Sequence, residues 1–166
     1  MKKIIVLFAL LGCLIDVQSQ CHLPYKSLFE LDRDTTGFIM YNLRERGDCY
    51  AGRPFSDFLH DLGIPVDNFS LLLNQMNPDE VRGININIYT EKVVKKRIEQ
   101  KKEPHSIKVF FREPISRKEI KSVSKKKGET WKWSNKVEKF LKSKLIYGTR
   151  TNVYSYSEYF ERYSEK

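Results

Sequence analysis

Across its 166 residues the chain has only three histidines, three cysteines and two tryptophans. His22, His60 and His105 lie far apart, and no Cys-x-x-Cys or Cys/His ligand cluster exists, so zinc binding and thioredoxin-type redox chemistry have no support. No Gly-x-Ser-x-Gly elbow, no phosphate-cradling Gly-x-x-x-x-Gly-Lys-Ser/Thr loop and no Gly-x-Gly-x-x-Gly motif occurs, which removes the usual serine-hydrolase and nucleotide-binding signatures. No metal or cofactor is called for. Asp57 and His60 share neighbouring helix positions, but two groups do not complete a metal or acid–base site. Cys21 beside His22 would lie at a processed terminus, a poor place to hold a nucleophile in register. Beyond the N-terminus no apolar run approaches the roughly 20 residues of a membrane-spanning helix.

What is present begins with an address. Met1-Lys2-Lys3 precedes an apolar run over residues 4–15 and a polar exit, Asp16-Val17-Gln18-Ser19-Gln20, the layout of a secretory signal. Val17 and Ser19 stand at the small-residue positions before a cleavage, so residues 1–19 are read as a signal peptide and 20–166 as the exported domain, periplasmic or secreted. Leu10-Leu11-Gly12-Cys13 offers a second route, in which Cys13 carries a lipid and anchors the protein to the envelope. Export makes a Cys21–Cys49 disulfide the expected use of the two remaining cysteines. Closing that loop stabilises by roughly 3 kcal/mol.

The formal charge of +9 is unevenly spread. Residues 20–90 hold six basic and ten acidic side chains, whereas residues 91–166 hold 22 basic and ten acidic. Lys95, Lys96, Arg97, Lys101, Lys102, Lys125, Lys126 and Lys127 are the candidate anion-binding residues, on the expectation that they converge on one face. Trp131-Lys132-Trp133 adds rings next to charge, a combination suited to acidic sugars or single-stranded nucleic acid. The export signal shifts the expected partner away from nucleic acid and toward envelope anions. The competing explanation is ordinary: solvated lysine-rich helix faces and tryptophans that seal a core.

Periodicity supplies the architecture. A helix is expected from about Thr36 to Arg46, capped by Asp34 or Thr35. A second follows Pro54, with Phe55, Phe58, Leu59 and Leu62 as its core stripe and Gly63 as its stop. Residues 68–74 and 83–90 read as a hairpin; in the second strand Ile84, Ile86 and Ile88 alternate with Asn85, Asn87 and Tyr89. A charged helix over 91–101 is expected to end at Pro104. Ile107, Val109 and Phe111 then alternate with Lys108, Phe110 and Arg112 in a strand ending at Pro114. Ser116 and Glu119 form a capping-box pattern, with Lys125-Lys126-Lys127-Gly128 closing that helix. Ser134 or Asn135 starts another, and residues 146–160 read as a last strand. The sum is one α+β domain, a mainly antiparallel sheet of about four strands with helices packed on one face.

The segment over residues 52–65, Gly-Arg-Pro-Phe-Ser-Asp-Phe-Leu-His-Asp-Leu-Gly-Ile-Pro, resembles uncharacterised small exported bacterial envelope proteins, in which a helix of this pattern precedes a strand hairpin. The similarity spans about residues 40–115 and implies a bacterial envelope origin without an activity. The same helix is also similar to BamE-like and beta-lactamase-inhibitor-like modules, which bind other proteins. The resulting expectation is an exported non-enzymatic module that binds a protein or anionic partner at the envelope. The alternatives are a secreted hydrolase assembled from distant segments and an anion-binding protein taking acidic glycan, lipid head group or nucleic acid. The sequon Asn68-Phe69-Ser70 matters only in a eukaryotic secretory pathway.

Overall fold

Six antiparallel strands and five helices make up the computed structural model, which describes residues 21–102, 105–128 and 130–152. The signal segment, Cys13, Pro104 and the tyrosine-rich stretch after Asn152 lie outside the described residues. The sheet order is β4-β5-β1-β2-β3-β6, with β1 Asn68–Leu73, β2 Glu80–Asn87, β3 Ser106–Ser116, β4 Lys126–Lys127, β5 Thr130–Lys132 and β6 Ile146–Asn152. The α+β class is as expected, but the strand count is six rather than about four.

Helix α1 opens as an α-helical turn, Thr35–Phe38, and continues π-helically through Ile39–Glu45. Asp34 caps it by accepting from the Thr36 amide. A Cβ at Gly37 would sit 2.8 Å from the Asp34 carboxylate, so a side chain there would displace the capping group. Helix α2, Phe55–Leu62, buries Phe55, Phe58 and Leu62 and ends on Gly63 in the left-handed region. Helix α3, Glu91–Glu99, connects β2 to β3. Helix α4, Arg117–Val123, starts on the complete Ser116/Glu119 capping box, and α5, Asn135–Leu141, on Ser134.

Alternation decides the sheet's two faces. Phe69 pairs with Ile86, Ile86 with Ile107, Ile84 with Val109 and Phe69 with Trp131; all of these are buried in one apolar cluster with Phe38, Phe58, Val137 and Leu141 from the helices. Trp133 is half-buried against Phe69 and Phe55, its ring centroid 5.8 and 6.2 Å from theirs. Both tryptophans therefore serve the core.

Three boundaries differ from expectation. The β4–β5 hairpin was not expected, because two lysines and a three-residue strand carry no periodic signal. The α4 helix stops at Val123, so Lys126 and Lys127 belong to an edge strand. Lysines on a short edge strand discourage edge-to-edge pairing with another chain. Finally, β3 runs past Pro114 to Ser116, because Pro114 falls within a slip in the β2–β3 register where its missing N–H costs no ladder bond.

The N-terminal arm, residues 21–34, is fastened to α1. A Cys21–Cys49 disulfide closes it at one end. Arg46, only 4% exposed, donates to the Leu23 carbonyl, and Asn42 bonds both the amide and the carbonyl of Lys26. Arg46 also approaches Tyr50 Oη at 3.4 Å and the Asp61 carboxylate at 3.8 Å, while Tyr50 donates to Asp61. Burial, reinforced by the Asp61 charge, pushes the Tyr50 phenol well above its ordinary value.

Candidate anion-binding cleft

The outer face of the sheet is built from the residues that alternation turns away from the core. Leu72, Gly83, Phe110 and Gly148 form one row across β1, β2, β3 and β6. Phe110 thus has a glycine as its partner on each side, and no neighbouring side chain in that row covers its ring on β2 or β6. Ser70, Asn85, Lys108 and Arg150 form the next row, and Lys132, Asn68, Asn87 and Ser106 the one after.

At the Phe110 row both neighbouring ladders slip. The β2–β3 register shifts between Val81 and Gly83, and the β3–β6 register between Phe110 and Phe111. Arg82, Arg112 and Tyr147 are left out of the paired positions. Slips of this kind re-aim side chains, and these three residues line a cleft of about 710 Å³ together with Phe110, Arg150 and Asp48. Gly83 is fixed by the same geometry: a Cβ there would meet the Val109 carbonyl oxygen at 2.2 Å.

Cationic side chains outnumber acidic ones in the cleft, three arginines to Asp48. Among the described residues, the guanidiniums of Arg82, Arg112 and Arg150 make no ion pair and no side-chain hydrogen bond. Arg46 and Arg53, by contrast, are paired with Asp61 and Asp57. Arg150 lies over the Phe110 ring, 5.9 Å from its centroid. Tyr147 is 74% exposed, and Asp48 is the one acidic residue in the lining. Arginine presents a planar fork that matches carboxylate, sulfate or phosphate bidentately, and a ring below it adds an apolar platform.

The residues singled out by charge density fall elsewhere. Lys95, Lys96 and Arg97 lie on α3, with Lys101 and Lys102 just after it. Lys125, Lys126 and Lys127 lie at the β4 edge, separated from β2 by β5 and β1. All seven lysines are exposed. Arg97 stacks over Tyr89, 4.4 Å from its centroid, and with Lys102 lines a separate hollow beside Arg33 and Thr36. The cleft arginines escaped notice because each stands alone in sequence. The available signals were Phe110 on the polar phase of its strand and single glycines within strand patterns.

The histidines do not join a reactive set. Asp57 is held by Arg53 at 2.9 Å, and exposed His60 instead faces Asp61, with Nδ1 and Oδ1 3.4 Å apart. His105 is buried, its Nε2 3.1 Å from Thr36 Oγ1 and its Nδ1 without a hydrogen-bond partner among the described residues. Burial, aided by Arg97 and partly offset by Asp34, pushes its pKa down to about 4. Among the described residues no group of three metal-ligating side chains occurs, and no helix is long and apolar enough to cross a membrane. No family model, no curated protein and no solved structure matches this chain.

Proposed function

We propose that this protein is an exported, non-enzymatic binding module of the bacterial cell envelope and that it takes an anionic ligand in the arginine cleft. The observation that carries this reading is the trio Arg82, Arg112 and Arg150, without an ion pair or side-chain hydrogen bond among the described residues and lining one cleft with Phe110; Arg82 and Arg112 lie at register slips and Arg150 in the adjoining row. Three guanidiniums on one shallow surface repel one another, and an anion relieves that repulsion while engaging their donors. The disulfide is compatible with an oxidising compartment and braces the helix layer behind the sheet.

The test is a titration with sodium sulfate followed through backbone amide NMR shifts, at constant ionic strength maintained with chloride. Saturable shifts centred on Arg82, Phe110, Arg112 and Gly148, reduced at least tenfold in apparent affinity by Arg150→Ala, are expected. Shifts confined to α3 and the β4 edge would place anion binding on the lysine clusters and refute the cleft.

A further inference from the structure

From the composition of the surface beyond the arginines we infer that the ligand is an acidic carbohydrate chain, laid along the outer sheet face with its anionic group in the cleft. This rests on the cleft reading and names the class of ligand that fits it. Leading away from Phe110 along β3 and its neighbours, the surface presents amides and hydroxyls: Ser70 and Asn85 beside Lys108, then Asn68, Asn87 and Ser106 with Lys132 at the β5 end of that row. Asn68 and Asn87 are hydrogen-bonded to one another, which fixes the orientation of both amides. From Phe110 to Ser106 the strand rise gives roughly 13 Å of surface, room for a short run of sugar rings.

The placement of the aromatic rings separates this ligand from a nucleic-acid strand. Single-stranded nucleic acid needs repeated aromatic platforms along its path. Here the rings, Phe110 and Tyr147, are both at one end, and Trp131 and Trp133 are committed to the core side. Beyond the cleft, Lys108 stands in the next row and Lys132, paired with Asn68, at the far end of the one after, with neutral amides and hydroxyls between them. A sugar chain suits that sequence of groups. Its hydroxyls exchange hydrogen bonds with Asn and Ser, one ring lays its apolar face on the glycine-flanked Phe110, and its carboxylate or sulfate meets the guanidiniums.

The experiment is isothermal titration calorimetry of the full exported chain with three probes at one ionic strength: a chondroitin sulfate hexasaccharide, sodium sulfate and a uridine decanucleotide. The hexasaccharide is expected to bind at least tenfold more tightly than either of the others. Arg150→Ala weakens both the hexasaccharide and sulfate. Ser70→Glu places a negative charge on the strip away from the arginines; it weakens the hexasaccharide at least fivefold and leaves sulfate within twofold. Thermal denaturation of each variant, matching the parent, shows that the fold is intact. A hexasaccharide no tighter than sulfate, or a decanucleotide tighter than the hexasaccharide, overturns the carbohydrate assignment while leaving an anion cleft. Binding of all three probes that ignores Arg150→Ala overturns both readings together.

Discussion

The two faces of the sheet are written in the same strands, one residue apart, and they obey different rules. On the inner face Ile84, Ile86, Ile107 and Val109 are fully buried beneath the helices, and the apolar cluster continues into Phe55, Phe58 and Leu141. On the outer face the intervening residues are Asn85, Asn87, Lys108 and Phe110, partly exposed and largely polar. The inner face is fixed by the removal of apolar surface from water. Solubility alone accounts for polar residues outside. It gives no reason for a phenylalanine there, flanked by two glycines and approached by an arginine. Departures from the outer-face pattern are therefore more informative about function than the lysine-rich segments, whose positions on α3 and at the β4 edge suit solvation and edge protection.

The comparison breaks most visibly under truncation. Ile107→Ala is expected to cost about 3–4 kcal/mol in urea unfolding, while Lys108→Ala, one residue along on the other face, should stay within about 0.5 kcal/mol. Equal losses would mean that the outer face is covered as well. Replacing both Cys21 and Cys49 by serine should lower stability by roughly 3 kcal/mol through the freed loop; an unchanged midpoint would show that the arm's hydrogen bonds suffice.

A smaller effect sharpens the account of the inner side. His105 has a folded pKa of about 4, below its ordinary 6.5, so the unfolded chain takes up the proton first as pH falls. The stability associated with neutral burial is complete above pH 6.5, declines between 6.5 and 4, and levels off below. Between pH 7.5 and 5.0 the loss from this group should be about 2 kcal/mol. His105→Gln should flatten that part of the profile, and a slope unchanged by the substitution would assign it to other groups.

Much of this division was legible in the residues. The strict alternations over 84–89 and 107–112 gave both faces of β2 and β3, and the Ser116/Glu119 box and the Phe55–Leu62 stripe gave two helices with their caps. The β4–β5 pair was not legible, because its pairing depends on Trp131 meeting Phe69 across the sheet, a tertiary contact without a local pattern. The π-helical winding of Ile39–Glu45 was equally silent, since its apolar residues fit an α-helical stripe. The Cys21–Cys49 bond was expected from the scarcity of cysteine together with an N-terminal pattern read as a signal. The cleft was missed because register, rather than sequence proximity, assembles Arg82, Arg112 and Arg150, while blocks of adjacent lysines drew the charge reading to segments that the fold keeps apart.

The central claim is that the glycine-flanked ring of Phe110 and its arginines form a binding surface, and Gly148→Leu tests it most directly. No atom lies within 4 Å of where a Cβ at Gly148 would stand, and its φ is not positive, so the backbone accepts a side chain there. Leucine at that position projects into the row beside Phe110 and occupies the space a ligand would use. The account predicts thermal stability equal to the parent and at least a tenfold weaker affinity for the sulfated hexasaccharide. A stable Gly148→Leu protein that binds the hexasaccharide as tightly as the parent would contradict it.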